Sequence, residues 1–330
     1  MQLTVRRERR GKPGDNLSHR SSLTYRHVGR QHAARQAGFD TCEMSMDDKL
    51  ESCVTKQTTD ANFYSPTDRR GAGLLPKTSL ESPGPAYYNL SRQQRGRCII
   101  FNVQKFSTSE HLADRSGAEV DAFRITNTFR KLGFKCQLVP NPTTRKVRET
   151  LQEVSNETKD DADCFVCFFL SHGKLGRIFS CDDDLTFRQL IDPVMRSRSL
   201  RNKPKLFFIQ ACQEYDGADY KDAPDGWSYS IPSYPDVFVG FSTPPGYYSW
   251  RNERHGSHYI NALCSVLDEE ASSDEPRDLV SLMGVVNRQL GLHFESNTPS
   301  NYKTDRKKQT PCFVSSLTRK LVLTPRDSGA

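Results

Sequence analysis

The 330-residue sequence predicts an α/β domain built on a mostly parallel sheet. Three observations carry that expectation. Short apolar runs alternate along the chain with stretches of helical periodicity. Strand–helix–strand–helix alternation favours parallel neighbours joined by right-handed crossovers. The alternation occupies residues 97–322, whereas residues 1–96 hold almost no apolar runs. That polarity assigns 1–96 to a disordered leader, and residues 97–322 are numerous enough for a substantial core.

Cys98–Val103, Cys136–Val139, Cys164–Leu170 and Leu206–Ala211 read as buried strands. Val120, Phe123, Ile125, Phe129 and Leu132 share the spacing of one helical face, and Gly133 stops that helix. Val147, Leu151 and Val154 mark a second helix. Phe187, Leu190, Ile191 and Val194 mark a third, which Pro193 should end or kink. The pattern then breaks: residues 213–233 are rich in Asp, Gly, Pro, Ser and Tyr, and so long a loop inside a domain is commonly functional. A strand (Val237–Phe241), two helices (Tyr259–Leu267 and Leu279–Phe294), a polar loop and a final strand (Cys312–Leu317) complete the series.

Composition narrows the function. The chain is 35% apolar and 26% charged with a formal net charge of +7. Nine Lys or Arg against Glu8 and Asp15 make residues 1–39 basic. Such a tail can meet nucleic acid or an acidic membrane, but a solvated tail is the plainer reading and nucleic acid is not expected as a partner. Gly11, Pro13 and Gly14 break the amphipathic helix a mitochondrial presequence would need. No apolar run reaches the ~18 residues of a membrane span. Ten widely spaced cysteines, several inside apolar runs, suit free thiols in a reducing compartment, which points to the cytoplasm. Cys164-x-x-Cys167 has no second Cys/His pair at ligand spacing, and residues three apart on a strand face opposite sides. No metal or cofactor is therefore expected.

Ligands of an open parallel sheet bind beyond the carboxyl ends of its strands. Two of the strands end suggestively there. Cys164–Leu170 runs into Ser171-His172-Gly173, and Leu206–Ala211 runs into Cys212. If these strands are neighbours, an imidazole and a thiol emerge at one edge. The imidazole can take the thiol proton and later protonate a leaving amine. The amides of Gly173 and Cys212 could form an oxyanion hole, worth roughly 3–4 kcal/mol per donor.

Ser171-His172-Gly173 and Gln210-Ala211-Cys212-Gln213 resemble the catalytic motifs of caspases. The resemblance extends further. Arg97–Phe101, Arg115-Ser116-Gly117 with Asp121, and Lys203–Ile209 all match the pattern, as do Tyr247–Asn252 and Lys308–Cys312, so nearly all of 97–322 is covered. It implies a caspase-like three-layer sandwich, with about six central strands and helices on both faces. It also implies a cysteine endopeptidase that cuts after aspartate, of the short-prodomain executioner type that acts in apoptosis. By the same resemblance, Arg115, Gln210 and Arg251 line the pocket for that aspartate. Two guanidiniums and an amide suit one carboxylate. Ser249 and Arg251 hold the substrate backbone as an added strand. Tyr248 and Trp250 line the next subsite, and Asn252 favours a second Asp four positions before the cut.

The resemblance further implies a zymogen, with a large subunit (97–225) and a small subunit (226–330). Asp222-Ala223-Pro224-Asp225 reads as the activating cleavage site, to be cut after Asp225 by an upstream initiator caspase. In the leader, Asp60 and Asp68 are candidates. Cutting at Asp60 would expose Ala61-Asn62-Phe63-Tyr64, of the type bound by inhibitor-of-apoptosis proteins. The last apolar strand would be an exposed sheet edge in a monomer, which implies a homodimer of large/small pairs. Two residues depart from the family pattern: Glu214, where it has Gly, and His258, where it has a Trp that walls the fourth subsite. They sustain the rival reading of a catalytically weak homologue acting as scaffold or decoy.

Overall fold

The computed structural model describes residues 85–107, 112–214 and 234–326. Six strands form the central sheet: β1 (Arg97–Asn102), β2 (Lys135–Pro140), β3 (Phe165–Leu170), β7 (Lys205–Gln210), β8 (Val237–Phe241) and β11 (Cys312–Ser315). Their order is β11-β8-β7-β3-β1-β2. All pair in parallel except β11, which runs antiparallel along β8.

Because side chains alternate across a strand, continuous apolar runs feed two cores at once. Ile100, Phe168, Phe208 and Phe238 face one side, and Phe101, Phe169, Ile209 and Phe241 the other. The register sets Phe168 opposite Phe208, and their rings stack with centroids 4.8 Å apart. Helices α1 (Ala118–Lys131), α4 (His258–Glu270) and α5 (Leu279–His293) cover the first core. Helices α2 (Thr144–Asn156) and α3 (Phe187–Met195) cover the second. Each fully buried Phe contributes roughly 1.5–3 kcal/mol, so the aromatic sheet dominates the stability of both layers.

Four details depart from the sequence reading. Phe123 is 69% exposed, because Ala118, Ala122, Ile125 and Phe129 make the buried stripe of α1. Pro193 lies inside α3, which continues two residues past it. Residues 85–96, assigned above to the leader, pack on the domain: Tyr88 donates to Asp236 at 2.6 Å, and buried Arg95 donates to the Leu132 carbonyl at 3.1 Å. Finally, residues 173–186 form a small antiparallel sheet, β4 (Gly173–Lys174), β5 (Arg177–Phe179) and β6 (Asp184–Thr186). Its strands are too short and too charged to show a period of two. Cys164 and Cys167 sit in opposite cores, so the two thiols cannot share an ion. No helix among the described residues is long and apolar enough to cross a membrane.

Candidate active site

The strands carrying the two motifs are hydrogen-bonded neighbours. Leu170 of β3 stands opposite Gln210 of β7, and the Ser171 N–H donates to the Gln210 carbonyl at 3.1 Å. His172 and Cys212 therefore leave the sheet at the same edge, each two residues past its strand. Gly173 is held against the turn that carries Cys212. A Cβ there would lie 2.8 Å from the Cys212 carbonyl and 2.9 Å from the Ala211 Cβ, so this close approach admits only glycine.

No hydrogen bond joins Cys212 to His172 among the described residues. His172 Nε2 lies 2.8 Å from the carbonyl oxygen of Ala113. A carbonyl only accepts, so Nε2 carries the proton and Nδ1 keeps its lone pair. The ring packs 5.0 Å from Phe106. Burial lowers the His172 pKa, opposed by the Ala113 bond and reinforced by the charges of Arg115 and Arg251. Burial raises that of Cys212, and Glu214 adds to the rise, against the Ser249 backbone and Arg115. Both directions favour a neutral thiol beside a neutral imidazole. Sequence reasoning missed Ala113 because its contribution is a backbone oxygen, which side-chain identity does not signal.

Arg115, Gln210 and Arg251 converge beside that pair. The Arg115 guanidinium is 3% exposed and donates to the Val103 carbonyl at 2.7 Å. Burial, then the neighbouring Arg251 charge, bring its pKa down to about 10. Arg251 lies on β9 (Arg251–Asn252), which pairs with β10 (Gly256–Ser257). Arg251 Nη1 and Gln210 Oε1 are buried without a hydrogen-bond partner among the described residues. Gln210 Nε2 donates to Ser249 Oγ at 2.7 Å. Turning that amide over would let Oε1 accept from the Ser249 hydroxyl and aim two N–H donors inward.

The first helix anchors the hairpin that carries Arg251. Asp121 accepts from the Ser257 N–H at 2.6 Å and from its hydroxyl. Gly117, in the left-handed region at φ 81°, brings the start of α1 against the backbone of Glu253. Two guanidiniums thus share the electrostatic field of one buried carboxyl, Asp121, which leaves room for one more carboxylate.

Ser249 also engages the thiol: its N–H donates to Cys212 Sγ at 3.4 Å, and Sγ donates to its carbonyl at 3.6 Å. Tyr248 and Trp250 stand edge to face, with centroids 6.0 Å apart. Gln309 ties down this segment, accepting from the Trp250 N–H at 3.0 Å and donating to the Ser242 carbonyl at 2.8 Å. Nothing in its sequence context signals that role. Beyond Trp250 lies a cleft of 560 Å³ lined in part by Asn252, His258, Phe294 and Glu295. Phe294 packs 5.6 Å from Trp250 and 4.4 Å from the His258 ring. The Oδ1 atom of Asn252 accepts from the Arg254 N–H at 2.8 Å, leaving its amide nitrogen for a ligand. Asp60 and Asp225 lie outside the described residues.

The comparisons agree with this geometry. The caspase-domain family model matches residues 95–322. The chain is 36% identical to caspase-1 of Spodoptera frugiperda over 254 residues, which are 73% of this chain and 83% of that protein. Against caspase-7 of Gallus gallus it is 32% identical over 311 residues, 89% of this chain and 99% of that one. The crystal structure of caspase-1 from Spodoptera frugiperda superposes with a TM-score of 0.66 at 35% identity, covering 75% of this chain and 96% of that chain. With the thiol and imidazole at one sheet edge and Arg115 and Arg251 beside them, the chain belongs to the caspase family and is a cysteine endopeptidase that cuts after aspartate.

Proposed function

We propose that Cys212 is the nucleophile, that His172 exchanges its proton, and that Arg115, Gln210 and Arg251 bind the substrate aspartate. The observation that carries this reading is the buried Arg251 Nη1, without a partner among the described residues, beside Arg115 and Gln210. Buried cations without a carboxylate are costly, so a site of this kind rejects uncharged residues. As Cys212 Sγ attacks the scissile carbonyl, its proton passes to His172 Nδ1, whose lone pair the Ala113 oxygen keeps free. The Gly173 and Cys212 amides stabilise the oxyanion. His172 then protonates the departing amine, and water releases the acyl group from sulfur. Ser249 and Arg251 hold the peptide backbone, Tyr248 and Trp250 flank the preceding residue, and Asn252 meets the residue four before the cut.

The chain acts as an executioner caspase of apoptosis in the cytoplasm, made as a zymogen and cleaved after Asp225 by an initiator caspase. The products are a large subunit ending at 225 and a small one starting at 226. Removal of the leader at Asp60 presents Ala61 to inhibitor-of-apoptosis proteins. β11 supports a homodimer: it is the last strand of the sheet, and Val314 on it is 44% exposed. The thiol's engagement by Ser249 rather than by His172 is what favours the alternative, an inactive scaffold or decoy. One experiment separates them. Linker-cleaved protein is profiled on a peptide library varied at each subsite, with Cys212→Ala as control. Cleavage after Asp by the wild type alone supports the enzyme. No cleavage would sink it, and cleavage without preference for Asp would sink the pocket assignment.

A further inference from the structure

Glu214 lies two residues past Cys212, and the fold holds it in place from both sides. On one side the Leu175 N–H donates to its carbonyl at 3.1 Å. On the other, residue 213 is zipped to the cleft loop: the Gln213 N–H donates to the Tyr247 carbonyl at 3.1 Å, and the Gly246 N–H donates to the Gln213 carbonyl at 2.6 Å. Glu214 is not among the non-glycine residues with positive φ, so the turn does not require glycine there and is open to a side chain. That side chain is exposed and accepts a hydrogen bond from the Tyr248 hydroxyl through Oε1. Its other oxygen, Oε2, has no hydrogen bond among the described residues. Tyr248 stands edge to face with Trp250, so the carboxylate forms the rim of the wall these two rings make.

We propose that Glu214 is a specificity-determining residue for the substrate position just before the aspartate, selecting a cationic side chain and rejecting an acidic one. This rests on the reading of Tyr248 and Trp250 as the walls of that subsite. Oε2 is free to pair with a lysine or arginine entering between the rings. A carboxylate entering there meets like charge, and specificity is built from the repulsive contact as much as from the attractive one. Because Glu214 is exposed, the discrimination is modest. Attraction in one case and repulsion in the other favour lysine over glutamate by about tenfold at low salt. Screening reduces that ratio as salt rises.

The test uses linker-cleaved protein and peptides with the aspartate fixed and Lys, Gln or Glu before it. Wild type should give a Lys-to-Glu ratio of kcat/KM of about ten, shrinking with added salt. Glu214→Gln keeps an acceptor for Tyr248 but removes the charge, and should bring the ratio near one. Tyr248→Phe keeps the charge and should retain the preference. Equal ratios in wild type and Glu214→Gln, or no Lys preference in wild type, would overturn the proposal. Peptide binding to Cys212→Ala protein, read by fluorescence anisotropy, gives the same ratio without turnover. If wild type cuts nothing, the enzyme reading fails, and charge-dependent binding that Glu214→Gln abolishes still supports the role of Glu214. Charge-independent binding overturns it.

Discussion

Cys212 and Ser249 hold each other: the serine N–H donates to the thiol sulfur at 3.4 Å, and the thiol donates to the serine carbonyl at 3.6 Å. The imidazole that should take the thiol proton bonds to Ala113 through Nε2, and no hydrogen bond joins it to Cys212 among the described residues. In the single chain the two reactive groups thus share an edge without sharing a proton. A substrate backbone laid along residues 249–251 would compete for the Ser249 groups that now clasp the sulfur.

Alkylation of Cys212 in the uncleaved chain should report this arrangement. Burial raises the thiol pKa above the ordinary value of roughly 8.5, so the thiolate is scarce at neutral pH. The iodoacetamide rate should be slower at pH 7 than that of an unstructured cysteine peptide, and should still be rising above about pH 9. Glu214→Gln removes a negative charge that opposes the thiolate, so its midpoint should fall. An unshifted midpoint would show that the carboxylate does not act on the sulfur.

Truncating Arg251 to alanine removes one arm of the carboxylate clamp and leaves a bound aspartate half-paired. Losing one partner of a buried charge pair costs roughly 2–5 kcal/mol, or about thirtyfold to several thousandfold in kcat/KM. Thermal stability should change little or rise, because the buried Nη1 of the arginine has no hydrogen-bond partner among the described residues. Steady-state kinetics on an Asp peptide and a thermal melt check both halves.

Gln309→Ala tests a residue with no hydrogen bond to Cys212 or His172 among the described residues, which reaches the site only through Ser249 and Trp250. Its amide joins Trp250 N–H, Ser242 carbonyl and Ser249 Oγ, and its side chain is buried. The change leaves polar backbone groups unpaired at a cost of about 1–3 kcal/mol and frees the segment that receives substrate. KM should rise more than kcat falls. Gln309→Glu, which still accepts from Trp250, should recover part of KM; if it behaves like alanine, the acceptor role is wrong.

His258 makes the fourth subsite sensitive to pH. Burial, then the charge of His255, lowers its pKa, so the ring is neutral at pH 7 and offers no cation to an acidic residue. Protonation comes only as pH falls below the ordinary histidine value of roughly 6.5. The preference for Asp over an apolar residue four positions before the cut should therefore grow below that pH. Measured as a ratio, it is independent of the overall loss of rate as His172 protonates. His258→Trp should abolish the pH trend.

Much of this protein is legible in one dimension. The run Cys164–Leu170 is apolar throughout and Leu206–Ala211 is apolar but for Gln210, which marks strands buried on both faces, and parallel neighbours must deliver His172 and Cys212 to one edge. The stripe of α1 reads one residue astray at Phe123, since Ala118 and Ala122 carry too little apolar surface to announce the buried side. The strands β4–β6, β9 and β10 are two or three residues long and show no periodicity. Contacts across long separations are invisible in sequence for a different reason. Asp121 holding Ser257, Ala113 orienting His172, Gln309 bracing Trp250 and Glu214 meeting Tyr248 pair residues from 34 to 136 positions apart. Local sequence determined which groups reach the edge of the sheet, because strand direction and side-chain alternation are local properties. Tertiary packing alone decided which of those groups touch, and it set the thiol against Ser249 rather than His172.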